Sequence, residues 1–533
     1  MNDIIEILLE LTSVQSDTGT PMEALLGHKI HRRIHEHPYF TEFPEYCGIE
    51  TDDVMQRPLV WALRRGRSDK TIILSGHYDA VEIDCYGGLK ECALRPDRLK
   101  ARMLELGLGD ERVKKDLRDG DWLFGRGVAD MKAGVAINLH ALFTVEDPEP
   151  NILFTAVCDE ENVSAGCREM MPLLLRLQER FGLDYRVCLI TEPQITAVEE
   201  GAFTVYGGGT GKSLPTILAR GKLAHCAQNV EGLNAAGMIA EIARNIDLNP
   251  DLMTEDLGMA TQPPAVQIMK DLKTTYDVSL PEYAVAGVNI LFLGEGAAPD
   301  ILAKIRAICE ASFRTVVERY DRAFDAARDR GLVREESRLP LRPLVLSLKE
   351  LEEHARRARP DFESIRERLV HELSRSVLLG ERTLQAAGVA YMQEMARCSL
   401  IEEPFVTVGL VPPYYPAISN NHLDKKTDGF LRSMAAEAAR HGLKLTAQPY
   451  LPGMADISYM SCTDPQAEKS VMENMAVPDS LYAIPFDAIA TLNIPAYCLG
   501  PRCRDCHQWT ERVYMPDVER VVPDIIRRIV REL

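Results

Sequence analysis

The sequence predicts an α/β fold: a mostly parallel sheet with helices on both faces, interrupted by an inserted α+β domain that is enlarged by helices. Between residues 71 and 193, short apolar runs alternate with amphipathic stretches, which is the pattern of buried strands followed by helices. From residue 299 to 397 the chain becomes long, charged and helical, and strand-like runs return after it. A chain of 533 residues also exceeds one ordinary core, so two or three domains are expected.

The first part of the sheet is predicted from apolar runs that amphipathic stretches separate. An amphipathic helix opens the chain in MNDIIEILLELTSVQS. Strands are then predicted in TIILSGHYDAV, NILFTAVCDEEN and YRVCLITEP, and helices in DMKAGVAINLHALF and REMMPLLLRLQERFG. Parallel sheets place their sites at the carboxyl ends of strands, so the polar residues of GHYD, CDEEN and TEP are the first candidates for function.

The inserted region begins with the strand-like segments FTVYGGG and LPTILARGKL, and a helical stretch follows in GLNAAGMIAEIARNI. After the charged helices, strand-like runs return in PFVTVGLVPPYYPAI, LKLTAQPYLPG and LNIPAYCLGP, before a closing helix in DVERVVPDIIRRIVREL. We therefore predict the first part of the main domain at 1–197, the insertion at 198–400, and the second part of the main domain at 401–533.

Composition and charge narrow the class of protein. The net charge of -19 argues against nucleic-acid binding, since phosphate neutralisation needs a basic surface. No apolar run reaches the roughly 18 residues of a membrane span, and the N-terminus lacks the basic region of a signal peptide. We therefore expect a cytoplasmic protein with reduced cysteines that binds a small molecule or peptide, with no nucleic acid and no membrane as partner.

The first candidate residues lie at the end of the first strand and before the next helix. His77 and Asp79 share a face of the strand, so the carboxylate could orient an imidazole that binds a metal. A histidine satisfied at a strand end is the alternative. Asp130, in GRGVADMKAG, stands just before a predicted helix and could be no more than a helix cap.

Acidic residues follow the next two strands. Asp159, Glu160 and Glu161 are consecutive, and because such carboxylates repel one another they indicate either a bound cation or a raised pKa. A solvated loop is an equally good interpretation. Glu192 ends another apolar run, and alone it is not specific.

A last candidate is His507, in the C-terminal stretch GPRCRDCHQWTERVY. Cys503, Cys506 and His507 form C-x-x-C-H, the spacing that tethers a c-type haem. Covalent haem attachment is not expected in a reducing cytoplasm, and nothing else marks a second axial ligand.

Taken together, the candidates supply two imidazoles and three carboxylates that an α/β sheet would bring to one edge. This donor mixture suits borderline ions such as zinc, and a shared carboxylate could bridge two of them. These five candidate metal ligands are His77, Asp130, Glu161, Glu192 and His507.

The ordered set GHYD, GRGVADMKAG, DEEN, TEP and CHQWTERVY resembles the M20 family of dinuclear zinc peptidases and amidohydrolases. The stretches LVPPYYPAISNN, YLPGMADISYM and GPRCRDCHQWTERVY are similar to the RocB-type arginine-utilisation branch of that family. The resemblance implies that the mostly parallel sheet is a catalytic domain and that the insertion is a lid. The insertion is longer than the family's usual lid.

The resemblance also implies a role for each candidate. Two divalent metal ions would bind, zinc first, with cobalt and manganese open. His77, Asp130 and Glu192 would hold one ion, while Asp130, Glu161 and His507 would hold the other. Asp130 would therefore bridge the two ions.

Three further residues would act beside the metals. Glu160 would be the general base, taking a proton from water and returning it to the leaving amine. Asp79 would orient His77. His225, in ARGKLAHCAQNVEGLNA, resembles the lid histidine that stabilises the developing oxyanion, and the lid could also form a homodimer.

We therefore predict metal-dependent hydrolysis of an amide or peptide bond in a small substrate. An N-acyl amino acid is the first choice and a dipeptide the second, with arginine derivatives suggested by the branch resemblance. The alternatives are a non-catalytic ligand-binding or regulatory protein on the same fold, and a haem-binding electron carrier. We also expect that Cys506, immediately before a metal ligand, makes the enzyme sensitive to oxidation.

Overall fold

The computed structural model describes residues 3–53, 55–194, 201–423, 425 and 427–533. The chain divides into two compact units. Unit 1 comprises Met1–Thr210, Ile418–Thr463 and Ile484–Leu533, and unit 2 comprises Gly211–Ala417 and Asp464–Ala483. In the parts of the chain just given, no helix is both long enough and apolar enough to cross a membrane.

The strands are numbered in chain order. They are β1 (Cys47–Glu50), β2 (Leu59–Arg64), β3 (Lys70–His77), β4 (Trp122–Phe124), β5 (Asn151–Val157), β6 (Asp184–Ile190), β7 (Ala202–Tyr206), β8 (Gly208–Gly209), β9 (Gly211–Arg220), β10 (Glu255–Asp256), β11 (Met259–Ala260), β12 (Ala265–Asp271), β13 (Tyr283–Phe292), β14 (Val345–Ser347), β15 (Phe405–Tyr415), β16 (Ile418–Ser419), β17 (Lys444–Gln448), β18 (Ala496–Cys498), β19 (Cys503–Arg504) and β20 (Arg512–Tyr514).

The α-helices are numbered in the same way. They are α1 (Asp3–Thr12), α2 (Met22–His35), α3 (Pro38–Glu42), α4 (Pro96–Leu106), α5 (Glu111–Arg118), α6 (Ala133–Thr144), α7 (Ala165–Phe181), α8 (Ala235–Ile246), α9 (Ala297–Arg328), α10 (Leu348–Ala358), α11 (Phe362–Leu378), α12 (Leu384–Cys398), α13 (Asp428–Arg440), α14 (Pro465–Met472), α15 (Phe486–Leu492) and α16 (Val522–Glu532).

Unit 1 contains an eight-stranded sheet in the order β1-β2-β5-β3-β6-β18-β7-β17. Its central strands β5, β3, β6 and β18 run parallel to one another. Strand β7 pairs with β18 antiparallel and with β17 in parallel. Antiparallel strands β2 and β1 complete one edge. Every residue of β5 is buried, as expected for a strand covered on both faces. The predicted α/β fold with a mostly parallel sheet is confirmed.

Helices pack on both faces of this sheet. Ile72 and Leu74 of β3 belong to a core that also contains side chains of α1, α2, α6 and α16. Ser75 points to the opposite face, where its Oγ lies 3.8 Å from the sulfur of Met170 in α7. Unit 1 also contains a two-stranded sheet of β16 and β8 and a three-stranded sheet in the order β19-β20-β4, and β19 and β20 belong to the C-terminal candidate stretch.

Unit 2 contains a five-stranded sheet in the order β12-β13-β9-β15-β14. Its strands are antiparallel except for the β14–β15 pair. Helix α8 contacts β9, β12 and β13, and α12 contacts β9 and β15. The 32-residue helix α9 lies against α8, and with α10 to α12 it makes this unit an α+β structure rich in helices.

The extent of unit 2 differs from the predicted insertion. The predicted boundary between residues 197 and 198 lies outside the described residues. At the other end, 401–417 and 464–483 belong to unit 2, although the sequence placed both in the main domain. Pairing explains the first segment, because β15 pairs with β9 from Phe405 to Val411.

Candidate metal centre

The carboxyl ends of the central strands lie in register. His77, the last residue of β3, is opposite Val157, the last residue of β5. Ser75 of β3 is opposite Ile190, the last residue of β6. The residues that follow β5 and β6 therefore emerge at the same edge as His77, as expected for parallel strands.

Asp130 lies between the two candidate histidines. It sits in the turn Val128–Lys132 that leads into α6. Its Oδ1 is 3.2 Å from His77 Nε2, and its Oδ2 is 3.3 Å from His507 Nε2. The two oxygens of one carboxylate thus face two different imidazoles.

His507 reaches the cluster from the loop between β19 and β20. Its Nε2 lies 2.8 Å from Glu161 Oε1. Its backbone has a φ of 66°, in the left-handed region that non-glycine residues rarely adopt. About half of its side chain, 49%, is exposed, so this end of the cluster is open.

Two further carboxylates approach His77. Glu192 Oε1 lies 3.5 Å from His77 Nε2, and Glu160 Oε2 lies 3.9 Å from the same nitrogen. Ligand atoms of His77, Glu160 and Glu192 all fall within 4.8 Å of one another, as do those of His77, Asp130 and Glu161. By distance, Glu160 is therefore as close to the cluster as the predicted ligands are.

Asp79 lies behind His77, fully buried. His77 Nδ1 is 3.1 Å from the Asp79 carbonyl oxygen and 3.4 Å from Asp79 Oδ1. The carboxylate also accepts the backbone N–H of Glu160 at 3.2 Å, that of Glu161 at 3.3 Å, and the hydroxyl of Thr18 at 2.9 Å. Asp79 therefore contacts both strand-end segments of the cluster.

Burial and the closeness of the acidic and histidine side chains shift their pKa values. Burial, with the neighbouring acids, raises the pKa of Glu160 and Glu192 well above the usual range. Burial would also raise the pKa of Asp130, but hydrogen bonds from His507 and His77 outweigh it and lower that pKa. Hydrogen bonds to Asp130 and Glu161 raise the pKa of His507 to about 10. Such concentrated negative charge favours a bound cation.

The donor set fits divalent metal ions. Oxygen and imidazole nitrogen donors converge from separate loops, which suits zinc and similar ions. Among the residues described, Glu192 Oε1 is a buried oxygen that makes no hydrogen bond. The cluster therefore contains an acceptor that lacks a hydrogen-bond donor. A buried polar atom in this state is stabilised by a positive ligand.

Sequence reasoning missed the buried groups that support the segments carrying the candidate ligands. Asp159, which the sequence left open between a cation site and a solvated loop, forms a buried ion pair with Arg57 at 2.6 Å. Arg57 also pairs with Glu23 and Asp53. Glu511 accepts the backbone N–H groups of the Asp130 turn. The available signals were Arg126 in GRGVADMKAG and the position of Glu511 four residues after His507.

Four other residues bear on the candidate site. Asp456 is buried in unit 1, and burial raises its pKa to about 7. Cys503 and Cys506 are free thiols whose sulfurs lie 3.2 Å apart. His225 is exposed and belongs to unit 2, whereas the other predicted site residues belong to unit 1. Its Nδ1 accepts the backbone N–H of Ala227 at 3.1 Å.

Comparison with known proteins identifies the family. The model of peptidase family M20/M25/M40 matches residues 73–530. The chain is 30% identical to the uncharacterized protein YqjN of Bacillus subtilis, over 98% of this chain and 95% of YqjN. It is 28% identical to protein RocB of Bacillus subtilis, over 97% of this chain and 92% of RocB.

The fold is shared with a solved peptidase structure. Aminopeptidase PepT from Bacillus cereus superposes with a TM-score of 0.53 at 14% sequence identity, over 99% of this chain and 98% of PepT. The predicted resemblance to the M20 family is thus confirmed by the family match and by the two full-length relatives. The chain belongs to peptidase family M20/M25/M40 and is an amide-bond hydrolase.

Proposed function

We propose that this protein hydrolyses the amide bond of a small substrate at a centre of two divalent metal ions, with Glu160 as general base. One observation carries the proposal: the two oxygens of Asp130 face His77 and His507, at 3.2 and 3.3 Å. A carboxylate between two imidazoles is the arrangement that a bridging ligand needs.

The residues divide into two ligand sets that share Asp130. The first site consists of His77, Asp130 and Glu192, and the second site of Asp130, Glu161 and His507. Oxygen and nitrogen donors of this kind accept zinc, cobalt or manganese, and zinc is our first choice. When bound, the ions would lower the pKa of water and polarise the scissile carbonyl.

Glu160 is the proposed proton carrier. Burial, together with the neighbouring Glu192, raises its pKa, and a raised pKa makes a carboxylate a better proton acceptor. It would take a proton from the attacking water and deliver it to the leaving amine. Asp79 supports both steps, because it contacts His77 and receives the backbone N–H of Glu160.

The substrate class follows the family resemblance. An N-acyl amino acid is the first choice and a dipeptide the second. The resemblance of the sequence motifs to the RocB-type arginine-utilisation branch suggests arginine derivatives within either class. We assign His225 of unit 2 to stabilising the developing oxyanion, and a homodimer would form through unit 2. The free thiols of all 13 cysteines support action in the cytoplasm.

The test measures metal content and hydrolysis on the same preparations. A panel of N-acyl amino acids, dipeptides and arginine derivatives is assayed with wild type, Glu160→Ala and the control Glu179→Ala, whose side chain is exposed on α7. We expect about two ions per chain in all three proteins. Glu160→Ala should lose about 10²- to 10⁴-fold in kcat/KM, and Glu179→Ala should match wild type.

Two results would count against the proposal. Equal rates for Glu160→Ala and wild type would remove Glu160 as the base. A metal-loaded wild type that hydrolyses nothing in the panel would favour a non-catalytic ligand-binding or regulatory protein on this fold.

A further inference from the structure

We propose that Arg126 and Glu511 form a clamp that positions the loops of Asp130 and His507 for the second metal ion. The inference rests on the proposed dinuclear centre. We call these two residues the Arg126–Glu511 clamp, and both are positioning residues, because neither of them is among the proposed ligands.

The clamp is a buried ion pair. Arg126 Nη1 donates to Glu511 Oε2, and the two side chains are only 2% and 1% exposed. The guanidinium is held further by the ring of Tyr86, 5.3 Å from its centroid. A buried charge of this kind is stabilised only while its partner stays in place, so the pair fixes the distance between its two chain segments.

Each half of the clamp binds the backbone of one ligand segment. Glu511 Oε1 accepts the N–H groups of Ala129 at 3.2 Å and Asp130 at 3.4 Å. Arg126 Nη2 donates to the carbonyl oxygen of His507 at 3.1 Å. An unbroken path of hydrogen bonds therefore runs from the turn of Asp130 to the loop of His507.

The His507 segment has particular need of such a restraint. Its φ of 66° is unfavourable for a side-chain-bearing residue and persists only where surrounding contacts hold it. With the backbone held, the imidazole meets Glu161 and Asp130, the other two residues of the second site. The first site lacks His507, so loss of the clamp should weaken the second site more than the first.

The test titrates metal-free protein with Co²⁺ alone and follows the visible absorption of the bound ion. Wild type should bind two ions. Arg126→Met and Glu511→Gln should bind the second ion at least about 10-fold more weakly than wild type does, a usual loss for residues that orient ligands. Their loss of affinity for the first ion should be smaller, because only Asp130 among its ligands touches the clamp. The double variant should be no worse than either single variant, because both break one unit.

Two further variants provide an intermediate case and a matched control. Arg126→Lys retains a charged donor, so its affinity for the second ion should lie between those of wild type and Arg126→Met. Glu241→Gln is the matched control, because Glu241 is a buried carboxylate paired with Arg244 and Arg319 in unit 2. It should bind both ions as wild type does. Near-ultraviolet circular dichroism identifies any variant that has unfolded.

The outcomes separate this inference from the proposed function. Wild-type affinity for both ions in folded Arg126→Met and Glu511→Gln overturns the clamp and leaves the dinuclear hydrolase intact. A wild type that binds fewer than two ions overturns both. Selective loss of the second ion supports the clamp even where the wild type hydrolyses nothing in the substrate panel.

Discussion

His77 and Asp79 contact each other through two different groups of the aspartate. The Nδ1 atom of His77 lies 3.1 Å from the carbonyl oxygen of Asp79 and 3.4 Å from its carboxylate. With Nδ1 held in this way, Nε2 points toward Asp130. The same carboxylate accepts the backbone N–H of Glu160, so one residue sets the position of both a proposed ligand and the proposed base.

Asp79→Asn should lower kcat by about 10- to 100-fold with little change in metal content. The amide keeps the backbone carbonyl contact to His77, but it offers only one side-chain oxygen to the two N–H groups of Glu160 and Glu161. The measurement is steady-state kinetics together with metal analysis. Asp69→Asn, exposed next to the start of β3, is the control and should behave as wild type. Unchanged kcat in Asp79→Asn would show that the backbone carbonyl alone positions the imidazole.

Asp130→Asn should reduce the bound metal from about two ions per chain to about one. An amide has one good oxygen donor, so it can face His77 or His507 but cannot bridge them. Elemental analysis of protein loaded with excess zinc and then desalted gives the stoichiometry. Asp97→Asn, exposed on α4, should retain both ions. Two tightly bound ions in Asp130→Asn would argue against a bridging carboxylate.

Metal affinity should rise with pH. The pKa of His507 is raised to about 10 in the metal-free site, so a proton must leave before the nitrogen can bind a metal. Competition of Co²⁺ with a chelator of known affinity, between about pH 6 and 8, should show tighter binding at each higher pH. His507→Gln should flatten this slope. Affinity that is independent of pH, after correction for the chelator, would contradict the prediction.

The raised pKa of His507 has the opposite effect on the stability of the metal-free protein, which should fall as the pH rises. Because the folded pKa of His507 exceeds its unfolded value of about 6.5, its ion pairs stabilise the fold fully below that value. This contribution is lost as the pH rises toward about 10. Thermal unfolding of metal-free wild type should therefore depend more steeply on pH, between these two values, than that of metal-free His507→Gln.

The first part of the candidate centre could be predicted from the sequence because strand ends are visible in an apolar pattern. His77, Glu160, Glu161 and Glu192 each follow a buried run, and parallel strands bring such positions to one edge. His507 could not be placed by pattern alone, since a short loop between two-residue and three-residue strands carries it. Its assignment depended on the family resemblance.

The partners in long-range ion pairs and strand pairs could not be predicted from the local sequence pattern. Arg57 binds Glu23 and Asp159, which are 34 and 102 residues away along the chain, and no periodicity encodes such pairs. The same limit applies to β15, an apolar run that suits either sheet by its pattern and is assigned only by its pairing with β9. Tertiary contacts decide both cases.

Arg57→Ala should destabilise unit 1 by about 3–5 kcal/mol, because it leaves buried carboxylates without a cation. The three acids that Arg57 contacts are Glu23, Asp53 and Asp159. Tryptophan fluorescence during urea unfolding reports unit 1 alone, since every tryptophan of the chain lies in it. Arg67→Ala removes two salt bridges, to Asp147 and Glu149, from a side chain that is 59% exposed, and it should cost less than about 1 kcal/mol. Equal losses in the two variants would show that burial of the Arg57 network contributes nothing.

Hydrogen peroxide should inactivate the enzyme through a disulfide between Cys503 and Cys506. Their sulfurs are 3.2 Å apart, so oxidation of one thiol to the sulfenic acid allows the other to displace water and form the S–S bond. The new bond shortens the loop immediately before His507, and the second ion should be lost with activity. Dithiothreitol should reverse both losses.

Cys506→Ser should resist inactivation by hydrogen peroxide, whereas Cys47→Ser, which alters a thiol in β1, should be inactivated as fast as wild type. Inactivation of Cys506→Ser at the wild-type rate would place the sensitive group elsewhere.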